Sequence, residues 1–201
     1  MQPVIDYIVT NWLELTAAIL GVIAVILQIR IDSFYWIVSI LNVGLYIGVY
    51  ASQKLYALMI LMVYYVVMSV YGWYVWRFGT RHGHKHVGLR ITHTHVRSWI
   101  YLVIIVNILF LLIAWLLYEY TDSTTPVLDG IITALSFAAT WMLARKKIEN
   151  WLVWLVVDFI SIFLYTYQKM YPTLGLYIFL CIMAVIGYFS WRKKMKHGVS
   201  F

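Results

Sequence analysis

Seven long apolar segments run through the chain, and they restrict what it can fold into more than any other feature. Each is close to the roughly 17–25 residues that a helix needs to cross the hydrocarbon core of a bilayer. With 64% hydrophobic and 11% charged residues, the 201-residue chain is predicted to be one all-α integral membrane domain. The segments are Leu13–Ile29, Phe34–Tyr50, Tyr56–Trp76, Ser98–Tyr118, Val127–Ala144, Trp151–Tyr167 and Tyr171–Trp191.

The basic residues fall almost entirely on one side of these seven segments. If the N-terminus is outside, thirteen Lys and Arg residues lie on the inner side and only Lys54 and Lys169 on the outer side. Because short cytoplasmic loops are rich in Lys and Arg, we predict an outer N-terminus and a cytoplasmic C-terminus. The same distribution accounts for the net charge of +7 without a nucleic-acid partner.

An internal repeat relates residues 12–76 to residues 127–191. An offset of 115 residues, without gaps, places Trp36 on Trp151, Gly72 on Gly187 and Trp76 on Trp191. The offset spans four segments, so both triplets cross the membrane in the same direction. We therefore predict a parallel repeat with a pseudo-twofold axis along the membrane normal: three helices (12–76), a linker helix (98–118) and three helices (127–191). Transporters of this design bind their substrate between the two halves, near the midplane.

The sixth segment carries a carboxylate in the middle of an apolar run. Trp151, Trp154, Asp158, Ser161 and Tyr165 fall within an arc of about 80° on a helix. An acid near the bilayer midplane costs at least about 2.5 kcal/mol, so it usually faces a partner, a cavity or a cargo. Two indoles beside a carboxylate would suit a flat, cationic aromatic ligand. The alternative is that Asp158 only bonds to a neighbouring helix.

Other residues are predicted to complete the substrate site. Asn42 lies midway along the second segment, and the repeat pairs Asp158 with Val43, so the two halves present different chemistry. The alternative for Asn42 is that its amide bridges two helices. Ten tryptophans and seventeen tyrosines exceed what two interfacial belts need, so some are expected to line the site. The additional candidates are Trp36, Tyr46, Met62, Tyr65 and Tyr177.

Two acids near the outer ends of their segments are equivalent in the repeat. Glu14 and Asp129 would either form a negative outer vestibule that concentrates cations or stabilise the N-termini of their helices.

The chain lacks the residues that several classes of function require. No GxxxxGK[ST] phosphate loop occurs, the seventh segment contains no lysine for a retinal, and only one acid is central. We expect neither enzymatic activity nor a cofactor or metal, and we interpret the histidine-rich connection as an accessory basic loop. A purely structural seven-helix subunit is the alternative from another class. The histidines are His82, His84, His86, His93 and His95.

Two stretches, 54–76 and 145–165, resemble the PnuC family of bacterial vitamin transporters. The resemblance extends over Glu14–Trp76 and Pro126–Trp191. It implies seven helices in a three-one-three arrangement like that of the sugar-transporting SWEETs, in the cytoplasmic membrane. It also implies vitamin uptake by facilitated diffusion, with a cytoplasmic kinase that traps the product; a homo-oligomer is left open. The matching motif residues are Leu55, Tyr56, Tyr71 to Tyr74, Trp76, Pro126, Leu128, Asp129, Glu149 to Trp151 and Trp154.

The chain departs from the nicotinamide riboside members of that family at two matched binding positions. Those members typically have a glutamine in place of Met62 and an asparagine in place of Asp158, whereas Asn42 is kept. A carboxylate can pair with a cation or accept hydrogen bonds from an aminopyrimidine. The resemblance therefore places thiamine first, as in the thiamine-transporting members (PnuT), nicotinamide riboside second and riboflavin third.

Overall fold

A computed structural model describes residues 12–52, 56–82, 85–87, 89–121, 123–167, 169 and 171–197. Within these residues the chain forms seven α-helices and one short antiparallel hairpin. The helices are α1 (Trp12–Arg30), α2 (Phe34–Ser52), α3 (Tyr56–Phe78), α4 (Val96–Tyr120), α5 (Pro126–Ala144), α6 (Asn150–Tyr167) and α7 (Tyr171–Lys196), and strands β1 (Thr80–His82) and β2 (Lys85–Val87) form the hairpin.

The seven predicted helices are confirmed, with ends that differ from the predicted ones by at most five residues. Pro126 opens α5, where its missing N–H would have had no intrahelical partner. Among the described residues, α4, α5, α6 and α7 (from Thr173) are long and apolar enough to cross a membrane. In α1 and α2, shorter apolar stretches qualify by composition, so seven crossings stay a prediction. The β1–β2 hairpin was not predicted from the sequence.

The contacts divide the chain into two compact units, Met1–Gly88 and Leu89–Phe201. In the first unit, α1 packs on α2 and α2 on α3. In the second, α4 packs on α5, α5 on α6, and α6 on α7. The linker helix α4 thus belongs to the unit that contains α5–α7.

The interior of the second unit is built on small residues of α5. Ala134, Ala138 and Ala139 are buried on this helix, and small side chains let helix backbones approach closely in a membrane protein. One apolar cluster joins three helices: Leu102 of α4, Ala138 and Met142 of α5, and partly buried neighbours that include Val153 of α6. Close packing of α4, α5 and α6 therefore holds this unit together.

Each unit contains a buried tryptophan that lies over a glycine and against a second tryptophan. In the second unit, the Trp151 and Trp191 rings meet edge to face with centroids 5.6 Å apart, and a methyl group on Gly187 would lie 2.6 Å from the Trp151 ring. In the first unit, Trp36 and Trp76 meet edge to face at 5.4 Å, and a methyl group on Gly72 would overlap the Trp36 indole. These are the residues that the 115-residue offset pairs.

The turns α1–α2 and α5–α6 share one backbone hydrogen-bond pattern. The N–H of Ile31 donates to Gln28 O (3.1 Å) and that of Asp32 to Leu27 O (3.0 Å). At the same offset, Lys146 N–H donates to Leu143 O (2.9 Å) and Lys147 N–H to Met142 O (2.8 Å). Ile31 and Lys146 both have positive φ, 66° and 48°, as expected at the left-handed position of a Schellman motif.

Candidate functional site

Three polar groups lie on one face of α6 within two turns. Asp158 is 3% exposed, and Ser161 is completely buried. The indole N–H of Trp154 is buried and has no hydrogen-bond partner among the described residues. The Ser161 hydroxyl is buried near the hydroxyl of Tyr177 on α7. Because buried polar groups are normally satisfied, this face can bind a ligand that supplies the missing partners.

Two residues of α7 face the same stretch of α6. Tyr177 and Cys181 lie within electrostatic range of the Asp158 carboxylate. The Tyr177 ring also stacks on Tyr165 of α6, with centroids 5.1 Å apart and an interplanar angle of 22°. The α6–α7 pair thus brings together five of the predicted site residues. They are Trp154, Asp158, Ser161, Tyr165 and Tyr177.

Trp151, predicted as part of an aromatic wall, lies at the Asn150 end of α6 and is 2% exposed. Contacts with Trp191 and Gly187 enclose its ring. Its equivalent Trp36 is completely buried against Trp76 and Gly72. These contacts account for the burial of both rings, but both indole N–H groups, like that of Trp154, have no hydrogen-bond partner among the described residues. The role of Trp36 and Trp151 in substrate binding stays a prediction.

The remaining candidates of the first unit are half-buried where their side chains are described. Asn42 is half-buried, and its buried side-chain oxygen has no hydrogen-bond partner among the described residues. Met62 and Tyr65 of α3 are also half-buried. The side chains of Tyr46 and Glu14 lie outside the described residues, so those two predictions rest on the sequence alone.

Asp129 lies in the first turn of α5 and closes a local hydrogen-bond network. Its Oδ2 accepts hydrogen bonds from Ser123 Oγ (2.8 Å) and Thr125 Oγ1 (3.2 Å). This arrangement suits the helix-stabilising alternative, because a carboxylate near a helix N-terminus interacts favourably with the helix dipole. A role in an outer vestibule stays a prediction.

The histidine-rich connection contains a contact that the sequence did not reveal. His93 Nδ1 lies 2.7 Å from Oε1 of Glu149, which precedes α6. Sequence reasoning found no carboxylate near these histidines because 56 residues separate the two partners along the chain. In the described part of the chain, no three His, Cys, Asp or Glu residues are placed to hold a metal ion. The side chains of His82, His84 and His86 lie outside the described residues.

Glu149 also accepts two hydrogen bonds from Thr94. Burial alone would raise the pKa of Glu149, but the hydrogen bonds from His93, Thr94 and the backbone outweigh it and hold the pKa below its ordinary value. The carboxylate is therefore ionised at neutral pH. The acid before the Asn-Trp pair was quoted only as a family motif, and the structure gives it specific partners.

Lys146 was counted among the cytoplasmic loop charges, yet the structure buries it to 1% exposure. Burial lowers the pKa of its ammonium group to about 8. The repeat offers a signal for this burial, because Lys146 aligns with the apolar Ile31, which is buried as well.

Comparisons with known proteins extend over nearly the whole chain. The family described as nicotinamide mononucleotide transporter matches residues 11–193. Relatives named nicotinamide riboside transporter PnuC match as well, and two of them illustrate the likeness. The Escherichia coli protein is 23% identical over 92% of this chain and 87% of its own length. The Neisseria mucosa protein is 27% identical over 92% and 74%.

A solved structure has the same fold. The crystal structure of the vitamin B3 transporter PnuC matches with a TM-score of 0.74 and 24% identity, covering 98% of this chain and 88% of that one. The described residues form seven helices, four of them long and apolar enough to cross a membrane, and together with the family match they make the chain an integral membrane protein. With the family match over most of its length, the chain belongs to the nicotinamide mononucleotide transporter family and is a multi-pass membrane transporter, not an enzyme.

Proposed function

We propose that the chain takes up nicotinamide riboside across the bacterial cytoplasmic membrane and binds it at the polar face of α6. The observation that carries this proposal is the row formed by the buried Trp154 N–H, which has no hydrogen-bond partner among the described residues, the buried Asp158 carboxylate and the buried Ser161 hydroxyl. Nicotinamide riboside has a flat pyridinium cation, a carboxamide and ribose hydroxyls. The pyridinium can stack on an indole, and the carboxamide and ribose hydroxyls can hydrogen-bond to Trp154, Asp158 and Ser161.

The comparisons reverse the order of substrates predicted from the sequence. Both relatives described above are named for nicotinamide riboside, which favours the alternative over thiamine. Thiamine is the second candidate, because Asp158 could pair with its thiazolium or accept hydrogen bonds from its aminopyrimidine. Riboflavin, which is neutral and larger, is third.

The architecture belongs to the same proposal. A three-one-three parallel repeat is supported by the shared turn at Ile31 and Lys146 and by the shared Trp–Gly–Trp contacts. The thirteen-to-two distribution of basic residues supports an outer N-terminus and a cytoplasmic C-terminus. Labelling from outside should then reach a cysteine placed at Ser123 and miss one placed at Gly83; the opposite pattern would reverse the orientation.

We further propose facilitated diffusion, with a cytoplasmic kinase that traps the vitamin as its phosphate. The sequence contains no nucleotide-binding loop. Proteoliposomes without an ion gradient should equilibrate labelled nicotinamide riboside and never concentrate it. Accumulation that collapses on addition of a protonophore would instead show proton coupling.

Calorimetry on the purified protein tests the substrate and the site together. The wild type should bind nicotinamide riboside more tightly than thiamine or riboflavin. Trp154→Ala should weaken binding by several-fold to tens-fold, since contact of a cation with an indole contributes about 0.5–2 kcal/mol. The matched control is Trp115→Ala, which removes an indole that is 52% exposed on α4. Equal affinities for the two variants would remove Trp154 from the site.

Asp158→Asn separates the two leading substrates. It installs the residue that nicotinamide riboside members of the family typically have, so nicotinamide riboside should still bind within several-fold. Thiamine should lose roughly ten- to hundred-fold in affinity, the effect of removing a charged hydrogen-bond partner. A wild type that prefers thiamine and loses it in Asp158→Asn would refute nicotinamide riboside and leave the α6 site in place.

A further inference from the structure

A set of contacts that we name the clasp joins residues 92–94, just before α4, to residues 146–149, just before α6. The backbones form a parallel bridge in which Thr92 N–H donates to Lys146 O (3.1 Å) and Ile148 N–H donates to Thr92 O (3.1 Å). Two charged side chains extend this bridge on either side of Ile148.

Lys147 and Glu149 provide the charged contacts of the clasp. Lys147 Nζ donates to Thr92 Oγ1 (2.8 Å) and to His93 O (3.1 Å). Glu149 Oε2 accepts from Thr94 N–H (3.0 Å) and Thr94 Oγ1 (2.8 Å), while its Oε1 contacts His93. Hydrogen bonds with one ionised partner are the stronger kind, so the clasp is a substantial link.

Glu149 immediately precedes α6 and caps its first turn. Its backbone carbonyl accepts hydrogen bonds from Leu152 N–H and Val153 N–H, the first ones inside the helix. A residue in this capping position usually turns its side chain back to its own helix. The Glu149 side chain instead reaches the segment before α4. Glu149 thus bonds both to the first turn of α6 and to the segment before α4.

Helix α4 is already packed along α5. Leu102 lies in the apolar cluster with Ala138 and Met142, and a methyl group on Gly130 would lie 3.1 Å from the Ala114 Cβ. The clasp adds a polar link from the start of α4 to the start of α6. At the corresponding turn of the first unit, Asp32 Oδ1 accepts from Phe34 N–H (2.9 Å) and so stays within its own turn.

We propose that the clasp makes α4, α5 and α6 move as one body during transport and that Glu149 is a positioning residue for the substrate helix, an inference that rests on the proposed transport function. Glu149 does not touch the substrate face. It precedes Asp158 by nine residues, about 13 Å along a helix. Its effect is therefore on the conformational step of transport, which sets the rate of many carriers and enzymes, and not on affinity.

Locking the clasp with a disulfide tests whether α4 and α6 stay together. Thr92 and Lys147 are partners in the parallel bridge, and neighbouring strands lie about 4.8 Å apart, within the range a disulfide spans. In proteoliposomes, oxidised Thr92→Cys/Lys147→Cys should transport the vitamin at the wild-type rate, and reduction should slow it. Each single cysteine variant is a control for the redox treatment. Transport that stops on oxidation and returns on reduction would show that the elements must separate, and would overturn the proposal.

Glu149→Gln tests the positioning role with a nearly isosteric side chain. Turnover should fall roughly tenfold, the effect of one charge-assisted hydrogen bond, while the dissociation constant stays within about twofold. The matched control is Glu119→Gln, which neutralises an exposed acid near the other end of α4. Wild-type turnover in Glu149→Gln, or a loss of affinity at unchanged turnover, would overturn the positioning role.

Hydrogen exchange distinguishes a failure of the clasp proposal from a failure of the proposed transport function. Exchange at the amide of Thr94, whose N–H donates to Glu149, should accelerate about tenfold in Glu149→Gln without any substrate present. If that amide exchanges as in the wild type, the clasp proposal fails. If the wild type carries none of the three vitamins, the proposed function fails while the exchange result still reports on the clasp.

Discussion

The turns α1–α2 and α5–α6 have the same backbone but different side chains. Both place a residue with positive φ after the helix end, Ile31 in one and Lys146 in the other, and both feed into a helix that carries a buried tryptophan. In the first turn, Asp32 caps its own helix. In the second, the equivalent Lys147 bonds instead to the segment before α4. The two turns thus share a backbone hydrogen-bond pattern and differ in the contacts that their side chains make.

The comparison separates two kinds of constraint. Residues that make the same contacts in both units, such as Trp36 and Trp151, are constrained by close packing and should tolerate little change. Residues that differ at matched positions, such as Ile31 and Lys146, can carry a task that only one copy performs. Mutations at matched positions can therefore test whether the two turns carry different constraints.

The largest effect is expected from removing the buried indoles. Trp36→Ala and Trp151→Ala should each lower the free energy of unfolding by about 3–5 kcal/mol, because each leaves a cavity between packed helices. Chemical denaturation in detergent measures the change, and the exposed Trp115→Ala is the control. If Trp151→Ala folds with wild-type stability but binds no substrate, Trp151 is part of the site's aromatic wall, as the sequence suggested.

Lys146→Ile should change the pH dependence of stability. Burial lowers the pKa of Lys146 from 10.5 to about 8, so between these values the unfolded chain binds more protons than the folded chain. Stability therefore rises with pH across this window, by at most about 3 kcal/mol. Lys146→Ile, which installs the side chain found in the first turn, should remove most of the rise and leave the part due to Lys147, whose pKa is also lowered by burial.

Denaturation at pH 7.5 and pH 10.5 measures this slope. Lys193→Ile, at an exposed position of α7, should retain the rise and serves as the control. An undiminished slope in Lys146→Ile would mean that Lys146 does not titrate in this window and that the two turns differ less than the structure indicates.

Much of the fold followed from the sequence, and the reasons are physical. Apolar length located all seven helices, because crossing a bilayer sets a minimum number of residues. The 115-residue offset aligns Gly72 with Gly187 from the sequence alone, and both glycines lie against a tryptophan in the structure. Tight helix contacts need a small residue at a fixed position, so this kind of feature survives in a sequence comparison.

The candidate site could be predicted from the sequence only in part. Helical spacing placed Trp154, Asp158 and Ser161 on one face, and the structure has them there. Spacing could not show that Trp151, on the same arc, would be enclosed by Trp191 of another helix. Nor could it show the contact of His93 with Glu149. Contacts between distant segments depend on how helices pack, which periodicity within one helix does not contain.

The smallest effect should come from the cap that distinguishes the first turn. Asp32 is exposed, and its Oδ1 accepts a hydrogen bond from Phe34 N–H at the start of α2. Asp32→Ala should therefore lower the free energy of unfolding by about 1 kcal/mol, the usual effect of losing a helix cap. Asp32→Asn, which keeps an acceptor oxygen, should recover most of the loss. The reciprocal change, Lys147→Asp, would give α6 the same kind of cap but remove the ammonium that binds Thr92, so it should gain no stability. If Lys147→Asp is more stable than the wild type, local capping outweighs the clasp at this turn, and the difference between the two copies has less energetic weight than their contacts imply.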